Sequence, residues 1–93
     1  MNIEKLAKAV FALLQKNEAA KAELRRIGSA NLENPNVQKC VETMLQCNGQ
    51  ASGICYAASL LLSESEIEQF IVAANMPKFA FLSFVRNVEE YTL

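Results

Sequence analysis

Gln50-Ala-Ser-Gly-Ile-Cys-Tyr-Ala-Ala-Ser-Leu-Leu-Leu62 is the stretch whose reading decides the fold of this chain. It holds no charged side chain, and Ala51, Ile54, Cys55, Ala57, Ala58, Leu60, Leu61 and Leu62 cover almost the whole circumference of a helix. A helix that is apolar nearly all round belongs in the middle of a bundle. Ser52, Gly53, Ala57 and Ala58 are small enough to let neighbouring helices approach closely. Residues 50–62 are therefore the expected centre of the core.

A membrane span is the competing reading, because residues 43–63 carry no charge and that length would cross a bilayer. Gln46, Asn48, Gly49 and Gln50 lie inside it, however, which leaves an apolar run of only about 12 residues, too short to span. Gly49 and Gly53 have the spacing of a membrane packing motif but sit at its polar end. A buried core helix is expected instead.

Upstream, residues 3–27 read as one long amphipathic helix with Asn2 as its N-cap. Ile3, Leu6, Val10, Leu13, Asn17, Ala20, Leu24 and Ile27 follow a heptad, and Ala7 and Leu14 widen that seam into a core-facing stripe. Gly28, following Lys21, Arg25 and Arg26, is a stop signal with cations at the negative end of the helix dipole. Asn17 offers an alternative cap for a second, shorter helix. A polar connector, residues 28–34, leads to Asn34-Pro35, a cap followed by Pro at the first helical position. The helix that begins there is predicted over 35–48, burying Val37, Cys40, Val41 and Met44, with Gly49 ending or kinking it.

Downstream, Ser63 with Glu66, or Ser65 with Glu68, supplies a capping box. A helix over 64–76 should bury Ile67, Phe70, Ile71 and Ala74 before Met76-Pro77 closes it. A last helix over 78–91 should bury Phe81, Phe84, Val85, Val88 and Tyr91. The expectation is an all-α, compact bundle of about five helices (3–27, 35–48, 50–62, 64–76 and 78–91) in one domain, 1–93. An offset of 30 aligns Val37 with Ile67 and Cys40 with Phe70, which would suit two successive helical hairpins in a solenoid-like array.

Composition agrees with a globular helical chain. Apolar residues make up 52% and charged residues 20%, against the pattern of disorder. Three Gly and two Pro are too few for a turn-rich β architecture. The chain has no His, Trp or Asp, so it lacks the side chain best suited to proton transfer near neutral pH. A Ser-His-Asp triad and a His-containing metal site are impossible within it, and no Gly-rich phosphate loop or nucleophile elbow stands out. No enzymatic activity and no cofactor are expected.

Cys40, Cys47 and Cys55 are the three cysteines. Cys40 and Cys47 stand two helical turns apart, about 10 Å, too far to bridge. Lys5 and Lys8 break up any secretory-type start, so reduced, buried cysteines in a cytoplasmic setting are expected. A Cys-only zinc site would need a fourth ligand and close Cys pairs, neither of which is present.

The net charge of −1 conceals an asymmetry. Residues 1–27 hold six Lys or Arg against three Glu, while 28–93 hold three against seven. Such a dipole can orient a partner. Lys5, Lys8, Lys16 and Arg26 project away from the seam of the first helix and form its basic face, though Glu4 and Glu23 dilute it as a phosphate-binding stripe. Helix-turn-helix fails as a reading, since a recognition helix over 50–62 would offer bases only Gln50, Ser52, Tyr56 and Ser59.

What the core does not explain lies at the surface. Phe79 points opposite the stripe of the last helix and Leu82 lies on its edge, while Phe11 and Val72 fall off the stripes of theirs. Clustered exposed apolar residues mark partner sites. The first helix, about twice as long as the others, should overhang the bundle and support an antiparallel homodimer. The sequence thus points to a small cytosolic protein–protein interaction module, an adaptor, inhibitor or secretion-chaperone-like accessory protein, that buries Phe11, Val72, Phe79 and Leu82 against a protein partner. A nucleic-acid-associated regulator using Lys5, Lys8, Lys16 and Arg26 is the alternative.

Overall fold

Three of the helices start where a side chain accepts one of the backbone donors that a first turn leaves unpaired. In the computed structural model, which describes residues 2–28 and 33–92 (backbone only for Tyr91 and Thr92), the described residues form four helices and no strand. These are α1 (Ile3–Ile27), α2 (Pro35–Leu61), α3 (Glu64–Ala73) and α4 (Lys78–Thr92). The chain is all-α, as its periodicity predicts. Asn2 Oδ1 accepts from the Lys5 backbone N–H at 3.0 Å, and Asn34 Oδ1 from that of Asn36 at 2.9 Å. Ser63 and Glu66 form the reciprocal capping box, the Ser63 N–H donating to Glu66 Oε1 at 2.9 Å. The middle of the 28–34 connector and the side chain of Tyr91 lie outside the described residues.

The count of five is corrected to four because Gly49 does not end its helix. The segments 35–48 and 50–62 are one helix of 27 residues. A glycine inside a helix costs only about 1 kcal/mol relative to alanine. Asn48 and Gln50 do not break the pattern, and α1 packs beside α2 on both sides of residue 49. The offset repeat falls with it, since 37–61 is one helix whereas 67–91 spans two. Asn17 likewise caps nothing: it is buried in the interior of an unbroken α1.

The third helix is shorter than 64–76, and its ending is a Schellman motif. Asn75 takes a left-handed backbone (φ 53°), its N–H donates to the Val72 carbonyl at 3.1 Å, and the Met76 N–H donates to that of Ile71 at 3.2 Å. Ile71 and Met76 are both buried, the apolar contact that accompanies this motif. Pro77 then prevents any continuation.

Antiparallel α1 and α2 form a long hairpin. Ala9 to Lys16 stand level with Gln50 to Ile54, and Lys16 to Ile27 level with Asn36 to Thr43. The first helix therefore has no overhang: its partner is as long as itself. α3 packs against α1, and α4 against the C-terminal part of α2. The core gathers at that end around Ala7, Val10, Ala51, Cys55, Ala58, Phe70, Phe81 and Val85. Phe70 and Phe81 meet edge to face, with centroids 5.8 Å apart.

Residues 50–62 are thus central on one side only. Ala51, Ser52, Cys55 and Ala58 are buried, but Leu60 and Leu61 are 66% and 64% exposed. Expecting them inside assumed neighbours all round α2, and four helices do not supply enough. The molecule measures 45 × 29 × 20 Å with a radius of gyration of 14.6 Å, against about 12 Å for a compact domain of this length. No described helix is long and apolar enough to cross a membrane.

Candidate functional site

Between α3, α4 and the end of α2 lies an open groove of about 400 Å³. Its apolar lining is Ile67, Phe81, Leu82 and Val85, and its polar rim includes Ser59, Glu64, Glu68 and Lys78. The local sequence explains the arrangement. The capping box starts α3 two residues after α2 ends, and the Schellman turn with Pro77 reverses the chain into α4. Lys78 Nζ lies 3.4 Å from Glu68 Oε1, an exposed ion pair that ties α4 to α3. Glu66 sits apart from this pair: hydrogen bonding to Ser63 holds its carboxyl below the ordinary value.

Of the four apolar residues singled out from sequence, Leu82 lines this groove and is 51% exposed. Phe79, 76% exposed, precedes it by three residues on the same face of α4. Val72, 77% exposed, stands one turn beyond Glu68 on α3. Phe11 belongs to α1, is only 36% exposed and is not part of the groove. Of the other groove residues, Ile67 was expected in the core and Glu68 as a capping partner, and Lys78 carries no signal of its own. They become a site only through the α3–α4 turn.

The basic face is less basic than its residue count. Lys5, Lys8, Lys16 and Arg26 are all exposed. Yet Lys8 pairs with Glu4 at 3.5 Å, and Arg26 makes a two-pronged pair with Glu23, whose carboxyl this hydrogen bonding lowers. Lys21 pairs with Glu18 in the same way. Of the four, Lys5 and Lys16 have no ion pair among the described residues. These pairs use all three Glu of α1, so its excess of positive charge rests on Lys5, Lys16 and Arg25.

Two further grooves flank α2. One of about 590 Å³ runs between α1 and α2, with Ala9, Ala12, Leu13, Lys16, Gln50, Gly53 and Ile54 as its lining. The other, about 550 Å³, lies between α2 and α4 and includes Leu45, Gly49, Val88 and Glu90. The sulfur atoms are inside: Cys40, Cys47 and Cys55 are buried free thiols, and burial pushes Cys55 up to about 12. Among the described residues, no group of three or more Cys or Glu side chains is placed to hold a metal ion. No protein-family model, curated protein or solved structure matches this chain.

Proposed function

We propose that this chain is a small protein–protein interaction module that seats an apolar side of its partner on the α3–α4 groove. The observation that carries the reading is the continuity of exposed apolar surface there. Leu82 forms one wall, and Phe79, three-quarters exposed, extends the same face of α4 outward. Partner sites concentrate their binding energy in a few such aromatic and aliphatic anchors inside a polar rim. The rim here is the Lys78–Glu68 pair with Glu64, which would orient the partner more than hold it. A cytosolic setting suits three reduced, buried thiols.

Phe79→Ser and Leu82→Ser test this reading. Both positions are exposed, so thermal unfolding should move little, while a partner captured from the native host by the wild-type chain should be lost by both variants. A captured partner that ignores both substitutions would overturn the assignment to this groove. The nucleic-acid alternative is disfavoured by the ion pairs that occupy Lys8 and Arg26. Salt-sensitive retention on DNA, abolished by charge reversal at Lys5 and Lys16, would revive it.

A further inference from the structure

The walls of the α3–α4 groove restrict the kind of chain they can accept. They are helices, whose backbone groups beyond the first turn are already paired, and the described residues hold no strand edge. The polar side chains of the lining are engaged as well. Ser59 Oγ donates to the Tyr56 carbonyl at 2.6 Å, Ser65 Oγ lies 3.4 Å from Ser63 Oγ, and Lys78 is paired with Glu68. An extended segment laid on Ile67, Phe81, Leu82 and Val85 would lose water from its backbone and find few groups to replace it. A helix brings its backbone hydrogen bonds with it, and only its side chains need meet the groove.

Charge selects among helices. α3 and α4 together hold five Glu against one Lys and one Arg. At the groove itself the rim carries Glu64 and Glu68 against Lys78. Lys78 is taken by Glu68, while Glu64, exposed at the start of α3, makes no ion pair among the described residues. The rim is therefore net negative and complements a cation on the occupant.

We propose that the groove takes an amphipathic helix of another protein, with Lys or Arg flanking its apolar stripe, an inference that rests on reading the groove as a partner site. Lys78 to Val85 covers about 10 Å of α4, two helical turns, so the occupant sets apolar anchors at i, i+4 and i+7. A cation beside those anchors meets Glu64. The chain's own basic helix does not fit the role in a second copy. The apolar stripe of α1 is already buried against α2 and α3, and Phe11 is the one large apolar side chain that its open face offers.

Three labelled peptides of about 15 residues, long enough to form a helix, are the probes. One has Leu at i, i+4 and i+7 with Lys flanks, and one has the same Leu with Glu flanks. The third is the Lys sequence with a central Pro that blocks the helix. Fluorescence anisotropy with the full chain at fixed ionic strength should find the helical Lys peptide tightest and the Pro peptide weaker by roughly tenfold or more. Leu82→Ser should weaken the Lys peptide by roughly tenfold. Glu64→Lys should narrow its advantage over the Glu peptide by about threefold, and Glu64→Gln should act in the same direction by less. Circular dichroism confirms that each variant is folded. A Pro peptide as tight as the Lys helix would refute the helical occupant, and a Glu peptide as tight would refute its charge. Binding indifferent to both Glu64 variants, or no binding by any peptide, overturns the proposal too. The capture experiment separates the two levels: a host partner lost with Leu82→Ser while the peptides fail leaves the groove a partner site and removes its helical, basic occupant. A host partner indifferent to Leu82→Ser removes the partner site itself.

Discussion

Cys55 is fully enclosed, and the loss of water around its sulfur pushes the thiol up to about 12. Its thiolate, the reactive form, is therefore almost absent at neutral pH. Cys47 is 3% exposed and Cys40 8%. Labelling with a thiol reagent in native buffer should modify Cys40 first and Cys55 last. All three should react together once denaturant unfolds the chain, and rapid native labelling of Cys55 would contradict its burial. The sequence predicted three buried, reduced cysteines but could not rank them. Rank depends on which neighbours close over each sulfur: Cys55 lies in the four-helix end, and Cys40 in the two-helix end. Asn17 is a residue the sequence left ambiguous. It is 6% exposed with its Oδ1 reached by no donor among the described residues, a polar group at a seam position that a leucine would normally take.

At the scale of the element, helix starts were legible because they are local chemistry. Asn2, Asn34-Pro35 and the Ser63–Glu66 box each act within three residues of themselves. Helix ends were less so. Gly28 ends α1 at φ 90°, as its place after Arg25 and Arg26 predicts, whereas Gly49 is passed through because the packing of α2 against α1 outweighs one unfavourable residue. Gly49→Ala measures that balance. The new Cβ meets no atom within 4 Å, so the monomer should gain about 0.5–1 kcal/mol in chemical denaturation. A loss of stability there would mean that the glycine answers a need inside the chain.

Across the whole molecule, stability should be uneven. α3 and α4 thicken only one end of the α1–α2 hairpin, where Phe70, Phe81 and Cys55 are buried together. The other end rests on a two-helix contact holding Ala20, Val37 and Cys40. Regions with fewer buried apolar contacts open more readily. Amide hydrogen exchange should thus be slowest at residues 51–58 and 70–71 and clearly faster at 20–27 and 36–43. Uniform protection along both helices would refute this gradient. The candidate groove belongs to this scale too: Phe79 and Leu82 were visible as off-stripe residues, but their setting beside Ile67, Glu68 and Lys78 was not.

The sequence by itself determined the helical class, the capped starts and the inward stripe of each helix, because these depend on periods and contacts within a few residues. Only the tertiary structure decided that residues 35–61 are one helix and that α3 and α4 crowd one end. It also decided that the uncharged stretch 50–62 is half open to solvent. The physical reason is that apolar character states only that a side chain favours burial. Whether a neighbour arrives to cover it depends on how many helices the chain can bring to that face, and here one face of α2 is left without one.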